Sequence, residues 1–81
     1  MSVELLLYSK TNCHLCEIAK EELEIVKQRE GITYQEIDIY KDDRLLEKYG
    51  LMIPVVEYEG KVIQYGQVNC KVIQKFLNNT N

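Results

Sequence analysis

Apolar and polar positions alternate along the chain in short blocks whose spacing predicts strands and helices in turn. Val3–Tyr8 is nearly continuously apolar, which favours a strand that is buried on both faces. After a polar run at Ser9–Asn12, apolar residues recur at helical spacing from Cys13 to about Arg29, and Gly31 can end this helix. The apolar face of the predicted helix consists of Leu15, Ile18, Ala19, Leu23 and Val26.

The pattern after Gly31 predicts two more helices and three more strands. Thr33–Ile39 alternates loosely between polar and apolar residues, which indicates a second strand. A short helix is expected between a cap at Asp42 or Asp43 and a stop at Gly50. The remaining predictions are a strand at Val55–Tyr58, a tight turn at Glu59-Gly60, a returning strand at Val62–Tyr65, and a helix that is capped by Asn69 and has Val72, Ile73, Phe76 and Leu77 on its apolar face.

The predicted order of elements is β-α-β-α-β-β-α. Because a helix joins the first two strands, these strands are expected to be parallel, with a right-handed crossover. The last two strands are expected to form an antiparallel hairpin. A four-stranded mixed sheet with helices on both faces would cover every apolar face. We therefore predict an α/β fold with a four-stranded mixed sheet flanked by three helices, in a single domain that spans residues 1–81.

Composition and charge narrow the functional classes. The 81 residues are 46% hydrophobic and 28% charged, as in an ordinary globular domain, and the formal net charge of −3 lacks the basic footprint of a nucleic-acid-binding protein. The first apolar run is too short for a signal-peptide core or a membrane-spanning helix. We therefore expect a cytoplasmic protein with no nucleic-acid or membrane partner, and we expect it to be a monomer.

Cys13 and Cys16 form a C-x-x-C motif at the predicted start of the first helix. With three cysteines in all, the chain lacks the even number typical of a disulfide framework. The partial positive charge at a helix N-terminus lowers the pKa of a thiol from its usual value of about 8.5. Cys16 lies about one turn further into the helix, where burial raises the pKa. This asymmetry predicts that Cys13 attacks a substrate disulfide and that Cys16 resolves the mixed disulfide.

The same motif is also compatible with half of a zinc site. Such sites usually need a second pair of ligands, and only Cys70 and the single His14 remain. His14 lies inside the C-x-x-C loop, where folding around one ion is awkward, so we prefer the redox interpretation. His14 is either a charge that tunes Cys13 or an exposed residue at the helix start. Cys70 is either a second redox thiol or a small apolar residue.

The segment Tyr8–Cys16, with the sequence YSKTNCHLC, resembles the active-site segment of glutaredoxins, whose typical form is Tyr-Ser-Lys-x-x-Cys-Pro-Tyr-Cys. The resemblance continues at Ile53-Pro54, which is followed by Val55-Val56, and at Gly60-Lys61 in the predicted hairpin. It covers nearly the whole chain and implies the thioredoxin-like fold. The sequence is similar to a branch of short glutaredoxin-like proteins, and to the small redoxin that supplies electrons to ribonucleotide reductase.

The resemblance implies a dithiol oxidoreductase in which Cys13 and Cys16 are catalytic, no cofactor or metal is bound and glutathione is the reductant. It also implies that Lys10 binds a substrate carboxylate and that a cis Ile53–Pro54 bond presents the Ile53 backbone to an extended substrate. The alternatives are a solvated lysine and a trans proline at a strand start. The partners implied are glutathione or thioredoxin reductase, together with disulfide-containing protein substrates.

Three segments depart from the family pattern. His14-Leu15 replaces the usual Pro-Tyr pair, Met52 stands where threonine is usual, and Gln64–Asn69 replaces the Gly-Gly-x-Asp-Asp segment that holds the glutamyl end of glutathione. These changes leave the redox chemistry in place but affect glutathione recognition. Two alternatives stay open: an electron-donor redoxin reduced by thioredoxin reductase, and a metal or iron–sulfur carrier with Cys13 as a ligand. Cys16 argues against the carrier, because cluster-binding relatives usually have serine there.

Overall fold

The computed structural model describes residues 4–79, which form four strands and three helices in the predicted order. In chain order they are β1 (Glu4–Ser9), α1 (His14–Glu30), β2 (Thr33–Asp38), α2 (Asp43–Tyr49), β3 (Val55–Tyr58), β4 (Lys61–Tyr65) and α3 (Cys70–Asn79). Within the described part of the chain, no helix has the length and apolar character needed to cross a membrane.

The four strands form one mixed sheet in the order β2-β1-β3-β4. β1 runs parallel to β2, as predicted, with Tyr8 opposite Ile37. β3 runs antiparallel to β1, and this register places Val55, the first residue of β3, opposite Tyr8 near the end of β1. β4 returns antiparallel to β3. The end of β1, the start of β3 and the end of β4 therefore share one edge of the sheet.

Buried side chains pack on both faces of this sheet. On one face, α1 and α3 cover the sheet residues Leu5, Leu7 and Val56, and Ile73 of α3 is fully buried there. On the other face, Tyr8 and Val55 pack with Tyr49 of α2. Successive β1 residues therefore enter opposite cores, which explains why that strand is apolar at almost every position.

Three strand boundaries differ from the prediction; at one of them, β4 begins at Lys61, one residue before the predicted Val62. β1 continues to Ser9, and Val3 lies outside the described residues. β2 ends at Asp38, and Ile39–Lys41 forms a 3₁₀ turn instead of continuing the strand. The carboxylate of Asp38 accepts a hydrogen bond from the Tyr40 N–H at 2.9 Å, which stabilises the turn. Ile39 remains buried within this turn, so its apolar character did not require a strand.

Two residues assigned to apolar helix faces are exposed. Leu15 in the first turn of α1 is 39% exposed, and Val72 on α3 is 49% exposed. On α3, Ile73 and Leu77 are buried one turn apart, so the buried stripe runs through these positions and leaves Val72 at its margin.

Local cap chemistry agrees with the prediction at Gly31 and Asp42, whereas Gly50 follows α2 with a right-handed backbone, at φ −55°, and does not form a left-handed glycine cap. Gly31 ends α1 in the left-handed region, at φ 69°, and its N–H donates to the Lys27 carbonyl. The side chain of Asp42 accepts from the Arg44 N–H at the start of α2. The β3–β4 hairpin turns at Glu59 and Gly60, and both have positive φ, as a tight two-residue turn of this kind requires.

A polar cluster ties α2 to the sheet. The hydroxyl of Tyr49 donates to Glu57 Oε2 at 2.7 Å, and the hydroxyl of Tyr8 donates to Glu57 Oε1 at 3.3 Å. The two tyrosine rings lie 4.8 Å apart between centroids, and both residues are buried. Burial, together with the neighbouring Glu57 carboxylate, raises the pKa of Tyr8 and of Tyr49 to about 12.

We expect the protein to lose stability as the pH rises from about 10 to about 12. The unfolded tyrosines ionise near pH 10, whereas the pKa values of Tyr8 and Tyr49 in the folded state are about 12. Their contribution to the free energy of unfolding is therefore fully present below pH 10, and it is lost as the pH rises through the pKa of the folded state. Urea unfolding across this pH range measures the effect, with Tyr49→Phe as the test variant and Tyr40→Phe, at an exposed position, as the control. The free energy of unfolding should fall less steeply with pH than in the unaltered protein for Tyr49→Phe only. Equal slopes for both variants would contradict this assignment.

Candidate functional site

The C-x-x-C motif lies where the chain leaves β1 and enters α1. Asn12 adopts a left-handed backbone with φ 56°, which turns the chain between the strand and the helix. Cys13 is the N-cap of α1 and has an extended backbone, with φ −117° and ψ 107°. Its Sγ accepts a hydrogen bond from the Cys16 N–H at 3.1 Å. The sulfur of Cys13 therefore occupies the position where a capping side chain meets the unpaired N–H groups of the helix.

The two cysteines are bonded to one another and differ in exposure. Their Cα atoms lie 5.2 Å apart, and Cys13 is half-buried whereas Cys16 is 1% exposed. A Cα separation of this size is within the usual range for a disulfide. The pair can therefore exist as a dithiol or a disulfide, with only the first sulfur open to another molecule.

Ile53 and Pro54 lie at the same edge of the sheet as the dithiol. The peptide bond between them is cis, as the family resemblance implies. Gly66, which follows β4, donates its N–H to the carbonyls of Met52 and Pro54, at 3.2 and 2.8 Å. Within residues 4–79, neither the N–H nor the C=O of Ile53 has a hydrogen-bond partner. The backbone of Ile53 is therefore free to pair with an extended chain.

Lys10 precedes the dithiol loop and is exposed. It lines a cavity of about 660 Å³ together with Thr11, Asn12 and Lys41. Among the residues that the structure describes, no carboxylate forms an ion pair with Lys10. Its ammonium group is therefore available to an anion from outside the chain.

A network that the sequence analysis missed joins the loop to β2. The hydroxyl of Ser9, which is 3% exposed, donates to Glu36 Oε2 at 2.7 Å. Lys20 Nζ lies 3.2 Å from the same carboxylate and 3.4 Å from Glu17 in the first turn of α1. The hydrogen bond to Glu36 raises the pKa of Lys20. The spacing of Glu17 and Lys20 is a local signal, but nothing in the sequence pairs Ser9 with Glu36.

His14 and Cys70 lie in different environments. His14 is exposed at the first residue of α1, next to Cys13. Cys70 is buried in the core between α1 and α3, which agrees with its interpretation as a small apolar residue. Its backbone N–H donates to Glu22 Oε1 at 3.0 Å. Over residues 4–79, no cluster of three or more histidine, cysteine, aspartate or glutamate residues is placed to hold a metal ion.

Comparison with known proteins places this site in a family. The model of the glutaredoxin-like domain (DUF836) matches residues 4–78. The chain is similar to the X. campestris protein XcR50, with 29% identity, a TM-score of 0.77, and coverage of 93% of this chain and 96% of that one. It is similar to Ne2328 from Nitrosomonas europaea, with 23% identity, a TM-score of 0.81, and coverage of 94% and 92%.

Thioredoxins share the fold at lower identity. Oxidised mitochondrial thioredoxin 3 from Saccharomyces cerevisiae is 14% identical, with a TM-score of 0.65, and the match covers 96% of this chain and 78% of that one. At such identity the likeness concerns the fold alone. With the family match over residues 4–78 and the Cys13–Cys16 pair at disulfide distance, the chain belongs to the glutaredoxin-like family and is a redox domain of the thioredoxin fold.

Proposed function

We propose that the protein is a thiol–disulfide oxidoreductase that reduces protein disulfides or glutathione mixed disulfides with Cys13 and Cys16. The observation that carries this proposal is the position of Cys13 Sγ at the N-cap of α1, where it accepts the Cys16 N–H. After reduction, the same N–H group and the helix dipole favour a thiolate over a thiol at Cys13. A half-buried thiolate in front of a buried second thiol is suited to disulfide exchange.

The reaction transfers two electrons from the dithiol to the substrate. The Cys13 thiolate attacks one substrate sulfur, a Cys13–substrate disulfide forms, and the other substrate sulfur leaves as a thiolate that takes up a proton. Cys16 then loses its proton and attacks Cys13 Sγ, which breaks the mixed disulfide and releases the second substrate thiol. The products are a substrate dithiol and the Cys13–Cys16 disulfide.

The residues around the dithiol supply the substrate contacts in this proposal. An extended substrate backbone pairs with the unpartnered N–H and C=O of Ile53, which precedes β3 at the same edge of the sheet as the dithiol. The free ammonium of Lys10 binds a substrate carboxylate, such as the glycine end of glutathione.

The disulfide is regenerated to the dithiol by an external reductant. We propose glutathione for this step, with thioredoxin reductase as the alternative, in which case the protein acts as an electron-donor redoxin. Both reductants belong to a reducing compartment, which supports a cytoplasmic location.

Turnover of a protein disulfide in two NADPH-coupled systems tests the proposal. One system contains glutathione and glutathione reductase, the other contains thioredoxin reductase, and protein alkylated after reduction is the control. We expect NADPH oxidation above the alkylated control in at least one system. Activity only with glutathione assigns a glutaredoxin, and activity only with thioredoxin reductase assigns the electron-donor redoxin. No activity in either system would overturn the proposed function.

A further inference from the structure

A second cavity, of about 450 Å³, opens beside the dithiol loop on the side of α3. It is lined by Leu15, Ile18 and Val68. Leu15 is the second of the two residues between the cysteines and is 39% exposed. Gln64 and Gln67 supply amide groups to its wall. A side chain that enters this cavity from a substrate would lie directly next to Leu15, the residue that precedes Cys16.

Val68 and Asn69, which precede α3, line this cavity, and the backbone N–H groups of Asn69 and of the first two residues of α3 are paired within the chain. The Cys70 N–H donates to Glu22 Oε1 at 3.0 Å, and the Lys71 N–H donates to Asn69 Oδ1 at 2.8 Å. The Asn69 N–H donates to Gln64 Oε1 at 2.9 Å. An incoming anion therefore finds these three N–H groups already paired.

Glu22 also sets the charge of the cavity. Among the described residues that line it, Glu22 is the only one with a formally charged side chain, and only one of its carboxylate oxygens is used by Cys70. The apolar floor of Leu15, Ile18 and Val68 suits an aliphatic stem, and the carboxylate suits a cationic head. The net charge of −3 of the whole chain also favours the approach of a basic partner, as the Glu22 carboxylate does.

We propose that this cavity selects protein disulfides that carry a lysine or arginine beside the reacting cysteine, and that Glu22 is the specificity-determining residue. Glutathione has a net negative charge, from two carboxylates and one ammonium, and no lysine or arginine side chain, so its mixed disulfides fit this cavity less well than those of a basic peptide. The inference rests on the proposed function and names its preferred substrate class.

A single-turnover experiment with three matched peptide disulfides tests this inference without any regenerating enzyme. The peptides have the same length and carry lysine, glutamine or glutamate on both sides of the cysteine. Pre-reduced protein is mixed with each peptide, the reaction is quenched in acid and the released peptide thiol is counted by chromatography. Each rate is divided by the rate of the same peptide with dithiothreitol, which removes differences in intrinsic reactivity.

We expect the corrected rates to fall in the order lysine, glutamine, glutamate, with a total spread on the order of fivefold to tenfold at low salt. The spread should shrink at 1 M salt because the charges are screened. Glu22→Gln keeps an oxygen for the Cys70 N–H but removes the charge, so it should collapse the spread between the lysine and glutamate peptides. Glu21→Gln, an exposed neighbour with the same change in net charge, is the matched control and should keep the spread.

The outcomes separate this inference from the function on which it rests. If all three peptides react at equal corrected rates with the unaltered protein, or if Glu21→Gln collapses the spread as much as Glu22→Gln, the role of Glu22 is overturned and the oxidoreductase stands. If no peptide is reduced, the proposed function fails and the inference fails with it.

Discussion

Replacement of Cys13 by serine is expected to lower disulfide reduction to the uncatalysed background, a loss at least on the order of 10³-fold. The thiolate is the nucleophile in disulfide exchange, and a serine hydroxyl is not ionised at neutral pH. The fold should be unaffected, because serine is a good N-cap and its oxygen can accept the Cys16 N–H in place of sulfur. Turnover of a protein disulfide, with circular dichroism to check the fold, measures both quantities.

Cys16→Ser should separate the two substrate classes. A glutathione mixed disulfide can be reduced by Cys13 alone with a second glutathione, so that activity should be partly retained. A protein disulfide needs the second thiol, so the reaction should stop at a Cys13–substrate adduct that mass spectrometry of the intact protein detects. Cys70→Ala is the matched control, because this buried thiol takes no part in the proposed exchange. Full activity of Cys13→Ser, or an adduct on Cys70, would remove Cys13 from the role of nucleophile.

The arrangement of elements was predictable because local signals agree with one another. Gly31 at the end of α1, Asp42 before α2 and the Glu59-Gly60 turn act within a few residues, and each occurs at a change in apolar periodicity. The accessible first cysteine and the buried second one also follow from local geometry, since Cys13 caps the helix and Cys16 begins its buried face.

Periodicity alone could not give the width of each buried face. A helical pattern identifies a stripe, but the neighbouring elements decide where that stripe meets solvent. Leu15 fits the apolar period of α1 yet faces a cavity next to the dithiol, and Val72 fits that of α3 yet is 49% exposed. For Leu15 the difference matters for function, because an exposed apolar residue inside the C-x-x-C loop is available to a substrate.

The polar contacts that connect distant segments had no local signal at all. Glu22 and Cys70 are 48 residues apart, and Tyr8 and Glu57 are 49 apart. Such pairs depend on the sheet order and on the packing of α1 against α3, which a single sequence does not specify. By contrast, the importance of Ile53-Pro54 came from the family resemblance, since the residues by themselves favoured an ordinary trans proline.

Glu57→Ala is expected to lower the free energy of unfolding by roughly 2–4 kcal/mol. The substitution leaves the buried hydroxyls of Tyr8 and Tyr49 without their acceptor, and an unsatisfied buried hydroxyl costs about 1–3 kcal/mol. The free energy of unfolding of a small domain is about 5–15 kcal/mol in total, so this loss is a large share of it. Urea unfolding measures the change. Glu47→Ala, an exposed glutamate on α2, is the control and should stay within about 0.5 kcal/mol of the unaltered protein.

A double-mutant cycle between Glu57 and Tyr49 distinguishes the unpaired hydroxyls from a general loss of packing. If the cost of Glu57→Ala arises from the orphaned hydroxyls, the same substitution should cost about 1 kcal/mol less in a Tyr49→Phe background, which has no Tyr49 hydroxyl to leave unpaired. If the cost arises from lost side-chain volume, it should be equal in both backgrounds. The shorter contact, 2.7 Å from the Tyr49 hydroxyl against 3.3 Å from that of Tyr8, predicts that the corresponding cycle with Tyr8→Phe gives the smaller coupling. Equal unfolding midpoints for Glu57→Ala and Glu47→Ala would show that the cluster does not stabilise the attachment of α2 to the sheet.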